Sequence, residues 1–478
     1  MTSAVRSTCP YCGVGCGVLL SPDGAGGMSV TGDPDHPANF GRLCSKGSAL
    51  GETLGLGHRL LAPQIKGRET DWDTALTLVA DRFADVIATH GPDATAFYVS
   101  GQMLTEDYYV ANKLMKGFIG SANIDTNSRL CMASTVAGHR RAFGTDTVPG
   151  TYEDLELADL VVLVGSNLAW NHPVLYQRLL AARQARGTKI VVIDPRRTAT
   201  CDGADMHLAI APGGDVALFN RLFVAAYDGG ALDKGFLQHT DGFDATLRAA
   251  WTDAGETGLT DDQIRAFTDL WVRTEKVVTV FSQGVNQSSQ GTDKVNAIIN
   301  CHLATGRIGK PGCGPFSVTG QPNAMGGREV GGLANMLACH MALENADHRA
   351  AVRDFWQAPH VPDAAGLKAV DMFRAVGDGR IKALWIIHTN PAVTMPDADA
   401  VRAAIAGCAF VVVSDVTGQT DTARLADVLL PATAWAEKDG TVTNSDRTIS
   451  RQRAVLPAPG LARPDWDILA EVGRRMGW

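Results

Sequence analysis

The sequence contains no apolar run that approaches the ~20 residues required by a membrane-spanning helix, so we predict no membrane span. It has no excess of positive charge, because 43 Lys and Arg stand against 51 Asp and Glu, a formal net charge of −8. No basic surface for nucleic acid is therefore expected. The residues before Cys9 leave no room for a signal peptide and include no twin arginine, which predicts a cytoplasmic protein.

A second absence concerns nucleotide binding. The sequence has no G-x-G-x-x-G motif, which excludes an ordinary NAD site. It does have 10 cysteines. In a reducing compartment these are metal ligands or buried thiols and not a disulfide framework.

Four cysteines are placed as metal ligands, with the spacing C-x2-C-x3-C-x27-C at Cys9, Cys12, Cys16 and Cys44. A shell of sulfur ligands suits zinc or an iron-sulfur cluster. Structural zinc sites usually have two separated C-x2-C pairs, whereas here three cysteines share one loop. The glycines between them let the loop curl and turn backbone N–H groups toward sulfide. The spacing favours a 4Fe-4S cluster over zinc.

Strands and helices alternate through the rest of the chain, which predicts an α/β fold. Apolar strands at 160–164 and 189–193 frame a βαβ unit, and further strands follow at 277–281, 383–387 and 410–413. Small and polar residues follow the strands or form tight turns before helices, the positions where α/β sheets bind nucleotides. In the first half of the chain they are Gly165, Ser166, Asn167, Asp194, Pro195, Arg196, Gly213, Asp215, Gly284 and Asn286, and in the second half Thr389, Asn390, Ser414 and Asp415. Two nucleotide-binding lobes are predicted.

Local patterns predict several further elements. Helical periodicity appears over 71–89 and about 106–119, and a hairpin is expected around Pro22-Asp23-Gly24. The Gly-rich stretch from Gly309 to Gly332 is compatible with a disordered linker. Its embedded apolar residues and its Arg328-Glu329 pair favour an ordered loop pressed against a large ligand.

These motifs together resemble the molybdopterin oxidoreductase family along essentially the whole chain, and within it the catalytic subunits of bacterial assimilatory nitrate reductases. The resemblance rests on the cysteine loop, Leu43-Cys44-Ser45-Lys46-Gly47, Gly165-Ser166-Asn167, Asp194-Pro195-Arg196-Arg197, Gly284-Val285-Asn286-Gln287 and Pro311-Gly312-Cys313-Gly314-Pro315-Phe316. It implies a small N-terminal iron-sulfur lobe and two Rossmann-like α/β lobes. The expected boundaries are 1–63 for the cluster lobe, 64–135 with 341–478 for one α/β lobe, and 136–340 for the other.

The same resemblance implies the cofactors: a 4Fe-4S cluster on the four cysteines, and molybdenum bis(molybdopterin guanine dinucleotide) with one arm in each α/β lobe. It places the thiolate of Cys131 on molybdenum, a soft anionic ligand of the kind this metal centre requires. Formate dehydrogenases of the family usually follow this residue with a histidine that accepts the substrate proton. Met132 stands there instead, which disfavours formate oxidation and favours reductive oxygen-atom chemistry.

The implied activity is the reduction of nitrate to nitrite in nitrate assimilation. Arg328 matches the family's active-site arginine and suits an anionic substrate. Lys46 holds the family position between cluster and pterin, and Gln321 and Met325 are expected to line the pocket or to pack behind it. An NADH-dependent flavoprotein, ferredoxin or flavodoxin is expected as electron donor.

Three alternatives stay open from the sequence. A formate dehydrogenase or another oxo-acid reductase could use the same scaffold. Family members continue into a C-terminal domain, a β-barrel-like fold over the pterins, whereas this sequence ends at Trp478. The expectation is therefore that the sequence is a fragment or that the domain is supplied separately. This makes a non-catalytic, cluster-bearing electron-transfer role the third alternative.

Overall fold

The computed structural model describes residues 4–22, 27–253 and 255–478. The turn predicted at Asp23-Gly24 lies outside these residues, but the strands on both sides of it pair as expected. The strands are β1 (Val5–Thr8), β2 (Gly17–Pro22), β3 (Met28–Gly32), β4 (Gln64–Ile65), β5 (Arg68–Glu69), β6 (Thr95–Val99), β7 (Ile124–Thr126), β8 (Leu160–Val164), β9 (Lys189–Ile193), β10 (Met206–Leu208), β11 (Val277–Phe281), β12 (Gly314–Ser317), β13 (Ala383–Ile387), β14 (Phe410–Asp415), β15 (Val428–Pro431), β16 (Gly440–Thr443) and β17 (Ile449–Gln452).

The helices follow the predicted alternation. They are α1 (Ser45–Ser48), α2 (Trp72–His90), α3 (Thr105–Asn112), α4 (Arg129–Phe143), α5 (Tyr152–Leu157), α6 (Leu168–Asn171), α7 (Pro173–Arg186), α8 (Asp215–Asp228), α9 (Lys234–Leu237), α10 (Phe243–Thr252), α11 (Asp261–Arg273), α12 (Gln283–Asn286), α13 (Gly291–Ala304), α14 (Ala324–Glu329), α15 (Ala346–Trp356), α16 (Ala369–Gly377), α17 (Pro391–Thr394), α18 (Ala398–Gly407) and α19 (Asp465–Arg475). Short 3-10 helices lie at Leu50–Leu54, Pro92–Ala94, Ala199–Gly203, Ala338–His340 and Ala423–Leu425, and a π-helix at Lys113–Ile119.

The N-terminal lobe is an antiparallel sheet in the order β1-β2-β3. Its cysteine loop joins β1 to β2, and Val14, Cys9 and Cys16 pack into the same apolar core as one face of the neighbouring five-stranded sheet. The cysteine loop therefore packs against folded structure.

The five-stranded sheet has the order β10-β9-β8-β11-β12, and all its strands are parallel. Strands β8 and β11 are apolar and buried along their whole length, as expected where helices cover both faces. Helices α8, α11 and α13 pack on one face, and α5 and α7 with the cluster lobe on the other. This architecture places the carboxyl ends of its strands at one edge.

The seven-stranded sheet combines both ends of the chain, in the order β5-β4-β15-β14-β13-β6-β7. Strands β6, β7, β13, β14 and β15 are parallel, and the hairpin β4-β5 adds antiparallel to the edge. Helices α2, α3 and α19 cover one face, and α16 and α18 the other. The helix predicted over 71–89 is observed at Trp72–His90, where Asp71 caps its first turn by accepting from the amide of Thr74.

The Gly-rich stretch from Gly309 to Gly332 is ordered, but it is not the loop that the sequence suggested. Residues Gly314–Ser317 form β12, because the sheet offers β11 an unpaired edge. Residues Ala324–Glu329 form α14, which is buried over most of its length. Tertiary pairing therefore overrides the weak strand and helix propensity of a glycine-rich sequence.

In the described part of the chain, no helix combines the length and the apolar character needed to cross a membrane.

Candidate functional site

The four cysteines of the N-terminal lobe converge, with Cys9 and Cys16 buried and Cys12 and Cys44 half-buried. Burial, together with the neighbouring thiols, raises the pKa of Cys9 to about 12 and raises the pKa of Cys12 and Cys16. Within residues 4–22, 27–253 and 255–478, no group of three His, Cys, Asp or Glu side chains could hold a single metal ion. The four sulfur ligands would suit an iron-sulfur cluster when they are deprotonated.

The cysteine loop is clamped to two distant segments. The amide of Gly13 donates to the carbonyl of Gly320 at 3.1 Å, and the amide of Ser445 donates to the carbonyl of Gly13 at 2.9 Å. The hydroxyl of Ser445 also donates to Gly13 and accepts from the amide of Thr319. Ser445 thus holds the cysteine loop in place.

Lys46 is exposed and lies in α1, two residues after the fourth cysteine, Cys44. Its ammonium stands 5.8 Å from the ring centre of Tyr11, in the cysteine loop. A charge here is close to the cluster loop and to solvent.

His172 lies between the cluster loop and the Cys131 region and is fully buried. Its Nε2–H donates to the carbonyl of Thr319 at 2.8 Å. Burial lowers the pKa of His172 to about 4, so the ring is neutral at physiological pH. Its Nδ1 has no hydrogen-bond partner within the described chain, and neither does the hydroxyl of Thr319. These two buried polar atoms could bind a polar ligand.

Cys131 lies in the first turn of α4. The next residue, Met132, has φ −130° and ψ 20°, which kinks the helix after the cysteine. The side-chain amide of Gln283 donates to the Cys131 sulfur at 3.3 Å. A Cβ on Gly320 would lie 3.4 Å from that sulfur. The thiol therefore faces the strand end that precedes α12 and the glycine that contacts the cluster loop.

Asn286 positions the helix that carries Cys131. Its side-chain oxygen accepts from the amide and the hydroxyl of Thr135, each at 2.8 Å, and its carbonyl accepts from the hydroxyl of Ser134 at 2.7 Å. In this structure Asn286 therefore supports α4, and its predicted contact with a nucleotide stays a prediction.

Gln321 and Met325 lie on the segment that leads from Gly320 to Arg328. The Gln321 amide donates to Asn127 at 2.7 Å and its oxygen accepts from Ser128, just before α4. Met325 is buried and its sulfur contacts the guanidinium of Arg328. Gln321 is thus tied to the start of the Cys131 helix, and Met325 packs against the arginine.

Arg328 is buried and forms an ion pair with Asp146, with Nε and Oδ2 3.3 Å apart. Burial alone would raise the pKa of Asp146, but the charge of Arg328, with His139 and His340 nearby, holds that pKa below its usual value. Neither Arg328 Nε nor the two Asp146 oxygens makes a hydrogen bond within the described chain. Charge attraction therefore holds this buried pair together.

A cavity of about 530 Å³ opens beside Asp146. Its walls come from α4 and from the segment that follows α14, and they are predominantly cationic. The charged and polar lining includes Arg129, Arg140, Arg141, Lys368, His340 and Asn335. Such a lining attracts small anions.

A second cavity, of about 670 Å³, lies at the carboxyl ends of β8, β9 and β11. Most of the nucleotide contacts predicted for the first half of the chain line it: Gly165, Asn167, Asp194, Pro195, Arg196, Gly213, Asp215 and Gly284. Ser166 is buried, and its hydroxyl has no partner within the described chain. These residues supply the carboxylate, amide and backbone groups that a nucleotide requires at such an edge.

Two glycines shape the entrance of this cavity. Gly165 has φ +52°, and a Cβ on it would lie 2.7 Å from Cα of Gly284. The strand ends can approach this closely only because neither residue has a side chain. Behind them, the ammonium of Lys294 lies 2.7 Å from the carboxylate of Asp215. The donor set and the glycine cradle fit the nucleotide arm of a pterin cofactor.

The four positions predicted for the second nucleotide arm are largely occupied by protein contacts. Thr389 accepts from Asn127, and Asn390 accepts from the amide and the hydroxyl of Thr422. Ser414 accepts from Trp385, and the carboxylate of Asp415 accepts from the next amide. Asp415 is buried, which raises its pKa. In this structure the four residues meet at one sheet edge, with Thr389 linked to the segment before Cys131.

Three residues of the site were not singled out from the sequence. Gln283 contacts the Cys131 sulfur, Asp146 pairs with Arg328, and Asn127 joins Gln321 to Thr389. Only Gln283 carried a local signal, because it directly follows strand β11 and precedes a glycine. Asp146 and Asn127 belong to the site through tertiary contacts alone.

Family comparisons agree with this arrangement. The molybdopterin oxidoreductase model matches residues 59–475, and the molybdopterin oxidoreductase Fe4S4 domain model matches residues 2–54. The chain belongs to the molybdopterin oxidoreductase family.

Individual relatives narrow the likeness. A nitrate reductase of Klebsiella oxytoca is 55% identical over 99% of this chain, and one of Shewanella frigidimarina is 52% identical over 100% of it. The chain covers 55% and 52% of those proteins, about half of their length. A formate dehydrogenase alpha subunit of Methanocaldococcus jannaschii is 34% identical over 99% of this chain and 70% of its own length.

Among solved structures, acetylene hydratase from Pelobacter acetylenicus superposes with a TM-score of 0.81, covering 99% of this chain and 69% of that chain. Its sequence identity is 19%. The likeness extends to the fold and confirms the α/β architecture with an N-terminal cluster lobe.

Proposed function

We propose that this chain carries the active site of a nitrate reductase that reduces nitrate to nitrite. The observation that carries the proposal is the buried Arg328 beside a cationic cavity, on a chain 55% identical to a nitrate reductase. Nitrate is a planar anion, and a guanidinium matches it in charge and in hydrogen-bond donors. Two electrons and two protons convert one nitrate into nitrite and water.

Cys131 would hold molybdenum in the bound cofactor, which we propose to be bis(molybdopterin guanine dinucleotide). The metal supplies the oxygen-atom transfer, and the protein supplies orientation and electrostatics. The cavity beside Gly165 and Asp194 would take one guanine dinucleotide, and the sheet edge with Thr389 and Asp415 the other. Gln283, donating to the Cys131 sulfur, would orient the thiolate.

Arg328 would bind and orient nitrate, and Asp146 would hold the guanidinium in place through their ion pair. The cationic walls formed by Arg140, Arg141 and Lys368 raise the local concentration of an anionic substrate. Met132 follows the thiol with a side chain that neither gives nor takes a proton. The site therefore lacks, at that position, the base that formate oxidation would use.

Electrons would enter through a 4Fe-4S cluster on Cys9, Cys12, Cys16 and Cys44, with Lys46 between cluster and pterin. We propose a cytoplasmic role in nitrate assimilation, with an NADH-dependent flavoprotein, ferredoxin or flavodoxin as donor. We also propose that 1–63, 64–135 with 341–478, and 136–340 are the three structural units. All strands of the five-stranded sheet come from 136–340, and all strands of the seven-stranded sheet come from 64–135 and 341–478, which supports that division.

The proposal is tested by measuring iron, molybdenum and nitrite formation on anaerobically purified protein, with reduced viologen as donor. About four irons and one molybdenum per chain, with nitrite formed, support it. Iron without molybdenum or nitrite contradicts it and favours the electron-transfer role.

Formate oxidation is the second candidate, because a formate dehydrogenase is among the relatives. The same preparation supplied with formate and an oxidised dye distinguishes the two. Dye reduction by formate without nitrate turnover would replace the nitrate proposal.

A further inference from the structure

One buried lysine lies beneath the helix that carries Arg328 and has no role in the arrangement described so far. Lys116 belongs to the π-helix that continues α3, and its side chain is fully buried. Its ammonium donates to the carbonyls of Gly331, Leu333 and Met336 at 2.7, 2.8 and 2.6 Å. These acceptors all belong to the segment that directly follows α14. A buried lysine without a carboxylate hydrogen-bond partner needs such a set of acceptors.

Lys116 is part of a row of side chains that supports this segment. Tyr108, Asn112 and Lys116 are spaced four residues apart and share one face of α3 and its continuation. Asn112 donates to the carbonyl of Val330 at 2.7 Å, at the end of α14. A Cβ on Gly327 would lie 2.6 Å from the ring of Tyr108. The ring supports α14 from below, and the two polar side chains bind the carbonyls at its end.

The same segment is held from the opposite side by the helix of Cys131. Asn335 accepts from the guanidinium of Arg129 at 2.7 Å, and Arg129 is bound to Asp125 through two contacts of 3.0 Å. The amide of Ala334 donates to Asp125 at 3.3 Å. The segment after Arg328 is therefore fixed between Lys116 and the base of α4.

We propose that Lys116 is a positioning residue, which sets Arg328 relative to Cys131 by binding the carbonyls of residues 331–336. The inference rests on the proposed role of Arg328 in nitrate binding. Lys116 touches neither substrate nor cofactor, and it acts through the main chain that follows α14. Loss of its three N–H donors leaves three carbonyls that must find other partners, which loosens the end of the Arg328 helix.

The protonation state matters for the experiment. Burial lowers the pKa of Lys116 to about 7, with Asp125 and Arg129 as the charged groups that act on it. The protonated amine has one N–H for each of the three carbonyls, and the neutral amine has two. Measurements are therefore made at a pH of about 6, where the protonated form predominates.

The test variant is Lys116→Met, which keeps the length and apolar stem of the side chain. The matched control is Lys113→Met, which removes a lysine from the same π-helix; its ammonium contacts the ring of Phe118 and makes no contact with residues 331–336. In Lys116→Met we expect the KM for nitrate to rise about tenfold while kcat stays within about threefold of wild type. Iron and molybdenum contents should match wild type, and Lys113→Met should behave as wild type.

Hydrogen exchange provides a readout that does not depend on turnover. The amides of Val330, Gly331 and Gly332 donate to carbonyls within α14, and their protection reports the order of the helix end. In Lys116→Met a peptide covering 326–337 should exchange at least about tenfold faster than in wild type or Lys113→Met. Faster exchange in a protein that does not turn over nitrate would retain the positioning role and reject the proposed function.

Unchanged exchange in that peptide would overturn the inference. A fall in kcat that matches the rise in KM, together with a loss of molybdenum, would also overturn it. If Lys116→Met does not yield folded protein, Asn112→Ala tests the same support, since it removes one carbonyl contact. It should raise the KM for nitrate and the exchange rate in the same direction and by a smaller factor. An Asn112→Ala protein with wild-type KM and exchange would likewise reject the proposal.

Discussion

The amide of Gly13 donates to the carbonyl of Gly320, and the Cα of Gly320 faces the sulfur of Cys131. One residue thus touches both the loop that would hold the cluster and the thiol that would hold molybdenum. The contact requires glycine at residue 13. At residue 13, a Cβ would lie 2.1 Å from the carbonyl oxygen of Thr319. The cysteine loop and Cys131 are therefore joined through packed main chain.

The first prediction concerns this contact. Gly13→Ala should displace the cysteine loop from Thr319 and lower iron content from about four per chain to less than half of that, because the four thiols no longer converge. The measurement is iron per chain and visible absorbance after anaerobic purification. Gly55→Ala is the control, since a Cβ there meets nothing within 4 Å. Full iron content in Gly13→Ala would show that the loop moves without cost.

The second prediction concerns Cys131. Cys131→Ala should abolish nitrite formation and leave the cluster's visible absorbance intact, because the residue contacts Gln283 and Gly320 and not the four-cysteine loop. Nitrite production with reduced viologen and the absorbance spectrum are measured on the same sample. Cys339→Ala, at an exposed cysteine, should retain both. Wild-type turnover by Cys131→Ala would remove the thiol from the active site.

The third prediction concerns Lys46. Lys46→Met should slow electron delivery more than nitrate binding, because a positive charge beside the cysteine loop is lost while the Arg328 site is untouched. The rate at which nitrate reoxidises the pre-reduced cluster should fall about tenfold with an unchanged KM for nitrate. Lys234→Met, at an exposed lysine of α9, serves as control. An unchanged reoxidation rate would leave Lys46 as a solvated surface residue.

The fourth prediction concerns pH and a buried charge network in the seven-stranded lobe. The ring of His388 lies 2.7 Å from Asp465, which also accepts from Lys438 at 3.1 Å, and Lys438 reaches Asp107 at 2.9 Å. Burial alone would lower the pKa of His388, but the Asp465 carboxylate raises it above its ordinary value. The protonated ring therefore stabilises the fold below the unfolded-state pKa of ~6.5.

This contribution is lost as the pH rises through the folded-state pKa. The free energy of unfolding of wild type should exceed that of His388→Asn by the largest margin near pH ~6. This margin should decline as the pH rises above ~6.5. Urea unfolding at a series of pH values measures it. His58→Asn, at an exposed histidine, should show no such trend. A difference that is constant with pH would mean that His388 is neutral in the fold.

The sequence predicts the fold and the candidate site to different extents. Apolar runs predicted five strands, because parallel strands covered on both faces are largely apolar. These strands are β8, β9, β11, β13 and β14. Strand β12 was missed because its Gly-Pro-Phe-Ser sequence has no such run and becomes a strand by pairing with β11. Helix α14 was missed for a similar reason.

The sequence by itself determined the four-cysteine motif, the alternation of strands and helices and the family, because cysteine spacing and apolar periodicity are local properties of the chain. The tertiary structure decided which residues meet. Asp146 pairs with Arg328 across 182 positions by their numbers, and Lys116 binds carbonyls more than 200 positions away, by contacts that leave no local pattern. Only the folded chain shows that Asn286 supports a helix, or that Ser445 clamps the cluster loop. Such roles depend on long-range packing, and long-range packing is not encoded in the spacing of neighbouring residues.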